Sequence, residues 1–167
     1  EVRGIYEGHE IAVHTLTHPR LPEIEDEEEI VRQVDVDRIQ LEKLTGGPVV
    51  GMAYPCGGVN NDDRVAQIIK ENTRMKYCRT ITSSGNFNPQ ENLYRFNPTV
   101  FYGHVDKLFE LAHKFIEMKP SAPQLFYIWG HAYEFDWHKD WHVFEEFCKA
   151  LDEADALEDE EELKICV

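Results

Sequence analysis

Apolar residues recur along the chain in two alternating patterns, and this alternation predicts strands that take turns with helices. Short apolar runs predict strands at residues 11–14, 49–54, 76–81, 124–130 and 163–167. Apolar residues at helical spacing predict helices at residues 25–44, 61–72, 106–118 and 141–151, after a helix end within residues 1–8. This order is typical of right-handed βαβ units around a parallel sheet, so the expected fold class is α/β.

The length and the charge of the chain exclude several classes of protein. A chain of 167 residues, 42% of them apolar, is long enough for one folded domain, which we expect over residues 1–167. Its formal charge of −15 would repel a phosphate backbone or an anionic membrane surface, so we expect neither nucleic acid nor membrane as a partner. No apolar run approaches the roughly 20 residues of a membrane span.

The four cysteines are scattered and show no disulfide framework. Cys56, Cys78, Cys148 and Cys166 have no C-x-x-C spacing, which favours reduced thiols and a cytoplasmic protein. The first residue is not Met and the chain opens inside an element. We therefore expect the natural amino terminus, with any targeting signal, to lie upstream.

Two histidines four residues apart carry the strongest chemical signal. His14 closes the first predicted strand, and His18 lies in the loop that Pro19 keeps from continuing as a helix. Imidazole nitrogen is a favoured ligand for zinc and its first-row neighbours, so we expect the pair to bind a divalent ion, zinc first. The same spacing also fits two surface histidines that happen to be close.

The sequence around these histidines resembles a known motif. Residues 8–19, GHEIAVHTLTHP, are similar to the second motif, H-[ST]-x-x-H-P, of the polysaccharide deacetylases, also called NodB-homology proteins or family 4 carbohydrate esterases. The resemblance implies that His14 and His18 bind the catalytic metal of a hydrolase that removes acetyl groups from N-acetylated or O-acetylated carbohydrate. It also implies a distorted, incomplete (β/α)7-type barrel with a mostly parallel sheet. Residues 51–58 and 125–131 resemble later motifs in the right order.

The turn after the second predicted strand resembles the third family motif, commonly R-x-P-Y-G. By that resemblance the backbone N–H of Cys56 lies in an oxyanion hole, and Tyr54 and Pro55 contact the substrate. Ala53 stands where the family has arginine, and Arg79, at the end of the next predicted strand, is our candidate for that task. The same residues could instead form a simple turn. Cys56 could also be a nucleophile, but only with an activating histidine.

The sequence IWGH, which ends at His131, resembles the fifth family motif, L-x-H. In the family this histidine protonates the leaving amine, a task that suits imidazole because its pKa lies near neutrality. Trp129 would then form the apolar wall for the acetyl methyl group, and Glu134 and Asp136 could hydrogen-bond the ring of His131. Taken alone, a histidine at the end of a buried strand is more often a structural residue.

The chain lacks the first family motif, T-F-D-D, which supplies a third metal ligand and the aspartate that acts as general base. Asp35, Asp37, Asp62 and Asp63 lie on predicted helices and are not convincing replacements. We therefore expect either a domain truncated at its amino terminus or an impaired family member. The impaired member would bind metal or carbohydrate without hydrolysis.

Three functions stay open, and removal of metal separates them. A deacetylase acting on acetylated carbohydrate would lose activity to a chelator, and a binding domain would have none to lose. A cysteine hydrolase using Cys56 and His131 would keep its activity. Apolar strand edges at the open end of a barrel could be covered by a second copy of the chain, which would make a homo-oligomer.

Overall fold

The computed structural model of the protein describes residues 2–155, and the strand predicted at 163–167 lies outside them. The helices are α1 (Val2–Ile5), α2 (Glu27–Thr45), α3 (Asp63–Asn72), α4 (Val105–Glu117), α5 (Ala132–His138) and α6 (Trp141–Asp155). The strands are β1 (Gly51–Ala53), β2 (Tyr77–Arg79), β3 (Val100–Phe101) and β4 (Ile128–Trp129), and short 3-10 helices cover Leu21–Glu23 and Leu93–Arg95. In this part of the chain, no helix is long and apolar enough to cross a membrane.

These elements pack as two compact units. The first unit comprises Glu1–Ile81 and Gln90–Asn97, and the second comprises Thr82–Pro89 and Pro98–Val167. Each contains helices and a pair of parallel strands, so the predicted α/β class is confirmed. The (β/α)7-type barrel and the single domain stay predictions.

In the first unit, short extended segments run parallel to one another. β1 and β2 pair in the register Gly51 with Tyr77, Met52 with Cys78 and Ala53 with Arg79. Single parallel bridges add Val13 beside Met52 and Phe96 beside Arg79. Because parallel segments end at the same edge, the residues that follow Val13, β1 and β2 meet there.

The first predicted strand is present only as the bridge at Val13. The Val13 amide donates to Gly51 O over 2.8 Å, and its carbonyl accepts from Ala53 N over 2.9 Å. The next amide, that of His14, donates instead to a carboxylate oxygen of Asp37 on α2, over 2.9 Å. Pairing with β1 ends there because Thr15, the next residue whose amide could reach β1, turns away at φ 70°, and the Ala53 carbonyl lies 2.8 Å from the His14 ring nitrogen Nδ1.

The helices of the first unit begin and end where side chains or glycine satisfy their terminal groups. Asp26 caps α2 by accepting from Glu28 N over 3.0 Å, and Gly46, at φ 72°, ends it in the left-handed region. Asp62 caps α3 by accepting from Val65 N over 2.7 Å. Both helices lie within two residues of their predicted ranges at each end.

One apolar core joins α2, α3 and the strands of the first unit. Its buried residues are Val13, Leu21, Ile30, Val34, Val49, Met52, Tyr54, Val65, Ile68, Ile69, Met75 and Cys78. Ile30 and Val34, four residues apart on α2, are fully buried, whereas Leu44 near the end of the helix is 58% exposed. The buried stripe holds the N-terminal half of α2 against the segment around Val13.

The second unit is built around aromatic side chains. β3 and β4 pair in parallel, Val100 with Ile128 and Phe101 with Trp129. The buried core comprises Phe87, Val100, Tyr102, Leu108, Leu111, Ala112, Phe115, Phe126, Phe135, Phe147 and Leu151. β4 is shorter than the strand predicted at residues 124–130. Just before β4, the Tyr127 amide donates to the Thr99 hydroxyl over 3.0 Å rather than to the backbone of a strand.

Candidate functional site

The ring of His14 lies at the edge where the parallel segments of the first unit end, and β1 anchors it. Its Nδ1 lies 2.8 Å from the carbonyl oxygen of Ala53. A carbonyl oxygen can only accept, so Nδ1 carries the proton and Nε2 holds the lone pair that can ligate a metal. Metal-binding histidines are commonly oriented by a hydrogen bond of this kind.

His18 is presented beside His14 by the same loop. The two ring centroids lie 4.9 Å apart, and the rings meet edge to face at 71°. Thr15 and His18 have φ angles of 70° and 57°, in the left-handed region that L-residues rarely adopt. The loop therefore keeps an unfavourable backbone conformation while it brings the two imidazoles together.

Cys56 faces the same loop from the turn after β1. Its Sγ lies 3.7 Å from His18 Nδ1 and 3.6 Å from the His18 carbonyl oxygen. The Cys56 backbone is also left-handed, with φ 67°. The fully buried side chain of Asn60 holds this turn, donating to Cys56 O over 2.8 Å and to Tyr54 O over 3.3 Å. Asn60 is thus a residue that shapes the predicted oxyanion turn and that the sequence did not reveal.

Arg79 lies beside the position where the family has its arginine. In the ladder of β1 and β2, Arg79 is the direct partner of Ala53. Its backbone carbonyl accepts from Tyr54 N over 2.9 Å, and its Nη1 donates to Thr80 O over 3.1 Å. Its position on the neighbouring strand is compatible with the task predicted for it, and that task stays a prediction.

Tyr54 and Pro55, predicted to contact the substrate, are both buried. The Tyr54 hydroxyl donates to Tyr94 O over 2.8 Å. Burial raises the pKa of this phenol, so it is neutral at physiological pH. In this structure the Tyr54 side chain packs in the core below the turn, and its contact with a substrate stays a prediction.

Two polar residues of α2 hold the histidine loop, which we define as residues 14–18. Asp37 accepts from His14 N over 2.9 Å, and the Gln33 side chain accepts from Thr17 N over 3.0 Å. Neither residue was expected to serve the site. A signal was present for Gln33, because it lies one turn after Ile30 on the buried stripe, where a polar side chain needs a partner.

Gln33 is also part of a charged network along α2. Its Nε2 donates to Glu29 Oε1 over 2.8 Å, and Arg32 donates to both oxygens of Glu29 over 2.6 and 2.8 Å. These hydrogen bonds, with that of Arg32 the largest, lower the pKa of Glu29 from 4.5 to about 2. Glu29 is therefore charged at neutral pH, where it accepts from the Gln33 amide.

Trp129 and His131 lie in the second unit. The Trp129 ring tilts against Phe101 with centroids 4.8 Å apart. His131 begins α5, and its ring stacks on Tyr133 at 5.0 Å. A single carboxylate oxygen of Glu134 accepts from the His131 backbone over 3.0 Å and lies 3.1 Å from Nδ1.

The carboxylates after His131 have different partners. Of the two carboxylates expected near the His131 ring, Glu134 lies 3.1 Å from Nδ1, and the hydrogen bond predicted between them stays a prediction. The other candidate, Asp136, accepts instead from Trp141 Nε1 over 2.7 Å. Glu134 is therefore the carboxylate of the two that lies beside the His131 ring.

The two neighbouring imidazoles are the side chains of the histidine loop with nitrogens of the kind that ligate metal ions. Within residues 2–155, no group of three or more histidine, cysteine, aspartate or glutamate side chains is arranged to hold a metal ion. His14 and His18 fit two positions of a zinc site, in which four ligands are usual. The nitrogen donors and the anchored Nδ1 of His14 match the chemistry of such a site.

Comparison with known proteins bears on the segment that contains the histidine loop. The polysaccharide deacetylase family matches residues 2–75. A polysaccharide deacetylase from Bacillus cereus, known from a crystal structure, is 28% identical with a TM-score of 0.46, over 58% of this chain and 30% of that chain. The match thus spans less than a third of that protein. No curated protein matches the chain. The resemblance to the polysaccharide deacetylases is confirmed by the family match.

Proposed function

We propose that this chain, which the polysaccharide deacetylase family matches over residues 2–75, forms part of a metal-dependent hydrolase. The hydrolase would remove acetyl groups from acetylated carbohydrate. The observation that carries the proposal is the pair of imidazoles of His14 and His18, 4.9 Å apart inside the matched segment. The bond from His14 Nδ1 to Ala53 O supports it, because it presents the other ring nitrogen for ligation.

The proposed cofactor is one divalent ion, zinc first, with His14 and His18 as ligands. When bound, such an ion acts as a Lewis acid and lowers the pKa of water to about 7, as acyl hydrolysis at neutral pH requires. The third ligand and the general base are proposed to come from an aspartate pair like the family's T-F-D-D, a sequence that the 167 residues do not contain. The proposed fold is a barrel of the (β/α)7 type, which the parallel segments of the first unit support.

Two groups of the first unit are proposed to stabilise negative charge, one on the oxyanion and one on the general base. The N–H of Cys56 is proposed to bind the developing oxyanion, in the turn that Asn60 holds by its hydrogen bond to Cys56 O. Arg79 is proposed to pair with the general base, from the strand next to Ala53.

Groups of the second unit would act on the leaving group and the acetyl methyl. His131 is proposed to give a proton from Nε2 to the leaving amine while Glu134, 3.1 Å from Nδ1, holds the ring. Trp129 is proposed to form the apolar wall of the acetyl site. These roles rest on the motif that ends at His131.

A domain that binds without hydrolysis is the second candidate. It is favoured by the lack of a third ligating side chain beside His14 and His18 among residues 2–155, and by the missing T-F-D-D motif. Such a domain would bind zinc or acetylated carbohydrate, and it would release no acetate.

Acetate release from N-acetylated chito-oligosaccharides separates these two candidates from each other and from a cysteine hydrolase. The assay uses the chain joined to a segment with an Asp-Asp pair, before chelation, after it, and after zinc is returned. A deacetylase loses activity to the chelator and to His14→Ala. A cysteine hydrolase withstands the chelator and fails with Cys56→Ser. A binding domain takes up zinc and releases no acetate in any condition.

A further inference from the structure

We propose that Gln33 and Asp37 of α2 are positioning residues, which fix the backbone of the histidine loop and so determine where both imidazoles point. The inference rests on the proposed metal site. It adds two residues of a helix that carries neither histidine.

The backbone bonds of the histidine loop lead to one face of α2. The amide of His14 donates to Asp37 Oδ2 over 2.9 Å. Two residues on, the Leu16 amide donates to the Gln33 carbonyl over 2.9 Å, and the Thr17 amide donates to Gln33 Oε1 over 3.0 Å. Gln33 and Asp37 are four residues apart and therefore neighbours on the helix surface. The loop is thus bound to α2 at both of its ends.

Both polar atoms of the Gln33 side chain already have hydrogen-bond partners. Its side chain is 3% exposed, and its Nε2 donates to Thr17 Oγ1 over 2.9 Å and to Glu29 Oε1 over 2.8 Å. Loss of a buried hydrogen-bond partner leaves the other group unsatisfied, which is costly in free energy. An apolar side chain at position 33 would therefore release Thr17 rather than hold it in another way.

The loop needs these bonds because its backbone is strained. Thr15 and His18 have φ angles of 70° and 57°, which such residues keep only where surrounding contacts over-determine them. Thr15 is held between two amides that bond to α2, and His18 directly follows Thr17. Without the α2 bonds the loop can relax toward ordinary angles, and the two rings then lose their common placement.

Four variants separate positioning from general stability. Asp37→Ala and Gln33→Leu remove the side-chain bonds to the loop and leave the bond from the Leu16 amide to the backbone carbonyl of residue 33. Asp37→Asn keeps an oxygen that can accept from the His14 amide. Arg38→Leu is the matched control. Arg38 is a buried polar residue of the same helix, 6% exposed, and its ion pairs run within α2 to Asp35 and Glu42.

The first measurement is amide hydrogen exchange in the metal-free protein. Gln33→Leu should speed exchange at Thr17 by about 10-fold or more relative to Tyr54, whose amide bonds to Arg79 O in the sheet. Asp37→Ala should do the same at His14. Arg38→Leu should change the exchange rates of loop amides and sheet amides by similar factors. If Gln33→Leu gives the control's uniform change, the inference is overturned.

The second measurement is zinc affinity by titration calorimetry. Asp37→Ala and Gln33→Leu should weaken binding by about 10–100-fold, the range found when groups that orient metal ligands are lost. Asp37→Asn should restore most of the affinity, and Arg38→Leu should leave it near that of the parent. Faster exchange with unchanged zinc affinity would overturn the inference. A parent chain that binds no zinc would instead refute the proposed function, and the exchange data would still decide how the loop is held.

Discussion

At the scale of single residues, the two imidazoles of the first unit are held by different groups. His14 bonds through Nδ1 to a backbone carbonyl at 2.8 Å, whereas His18 has a cysteine sulfur 3.7 Å from its Nδ1. The Ala53 carbonyl fixes the tautomer of His14, and the Cys56 thiol lies beside the His18 ring. Metal binding should therefore require both rings and should alter the chemistry of Cys56.

Replacing both histidines should abolish zinc binding. A variant with His14→Ala and His18→Ala removes both nitrogen donors of the proposed site, and we expect it to retain no stoichiometric zinc by elemental analysis. The control replaces His113 and His142, two exposed histidines of the second unit, with alanine. Zinc content that stays at the parent's level in the first variant would rule the site out.

Zinc should protect Cys56 from alkylation. An ion bound by His18 would share the space around Sγ, so iodoacetamide should modify Cys56 more slowly when zinc is present. Peptide mapping by mass spectrometry measures the rate. Cys78 is the internal control, because it is fully buried and burial raises its pKa to about 12, so it should react in neither condition. Protection that persists in His18→Ala would contradict the expected geometry.

Loss of the His131 side chain should slow turnover without releasing metal. If His131 is the general acid, His131→Ala should lower the acetate release of an active, aspartate-complemented chain by roughly 10²–10⁴-fold. Zinc content should stay near the parent's level. The exposed His142, replaced in the same way, should have little effect on either quantity. Loss of zinc from His131→Ala would make His131 a ligand and would refute its proposed role.

At the scale of elements, α2 both covers the core and holds the histidine loop. Its apolar stripe is buried, and on the same side Glu29, Arg32 and Gln33 form a hydrogen-bonded network. The charge of Glu29 is therefore connected to the bonds that Gln33 makes with Thr17. Acid should loosen this part of the molecule.

The free energy of unfolding should fall between about pH 4.5 and pH 2 in part through Glu29. Its pKa is lowered on folding from 4.5 to about 2, so the folded state favours the charged form. The stabilisation is present above pH 4.5 and is lost as the pH falls toward 2. Glu29→Gln should flatten this part of the profile, measured by denaturant unfolding. Glu23→Gln, at an exposed ion pair with Arg20 in the same unit, is the control. A profile unchanged by Glu29→Gln would contradict the assignment.

At the scale of the whole molecule, the proposed reaction needs carboxylates that residues 2–155 do not bring together with the two histidines. His14 and His18 are in the first unit and His131 is in the second, and the sequence carries no T-F-D-D motif. Among residues 2–155, Asp37 is the aspartate that hydrogen-bonds the histidine loop, and it accepts from a backbone amide there.

The 167-residue chain should by itself release little or no acetate from acetylated chito-oligosaccharides. Among residues 2–155 no third ligating side chain lies with His14 and His18, and the sequence has no T-F-D-D motif to supply a ligand and a general base, each of which the proposed chemistry needs. Addition of a segment with an Asp-Asp pair should produce activity that a chelator removes and zinc restores. The same segment with both aspartates changed to asparagine is the matched control. Strong activity of the unextended chain that His14→Ala removes would show that the site needs no such aspartates.

The helices α2 and α3 could be predicted from the sequence because their signals are local, whereas α5 was not predicted. The periodic stripe of α2 and the caps at Asp26 and Asp62 lie within the helices or next to them, and both helices were found near their predicted ends. The strands were predicted too long. A strand extends only while alternate residues keep bonding to its neighbour, and after Val13 the chain turns away from β1 at Thr15, which has φ 70°.

The sequence by itself determined the α/β class, the resemblance to the polysaccharide deacetylases and the candidate histidines, since each depends on residues close together in the chain. Only the tertiary structure decided what holds those histidines. The bonds to the loop come from Asp37, 23 residues away, from Gln33, 16 residues away, and from Ala53, 39 residues away. Glutamine and aspartate on a helix usually face water, so their identity alone does not reveal this task. Burial of the α2 stripe placed them against the strained loop, and that packing gave them their role.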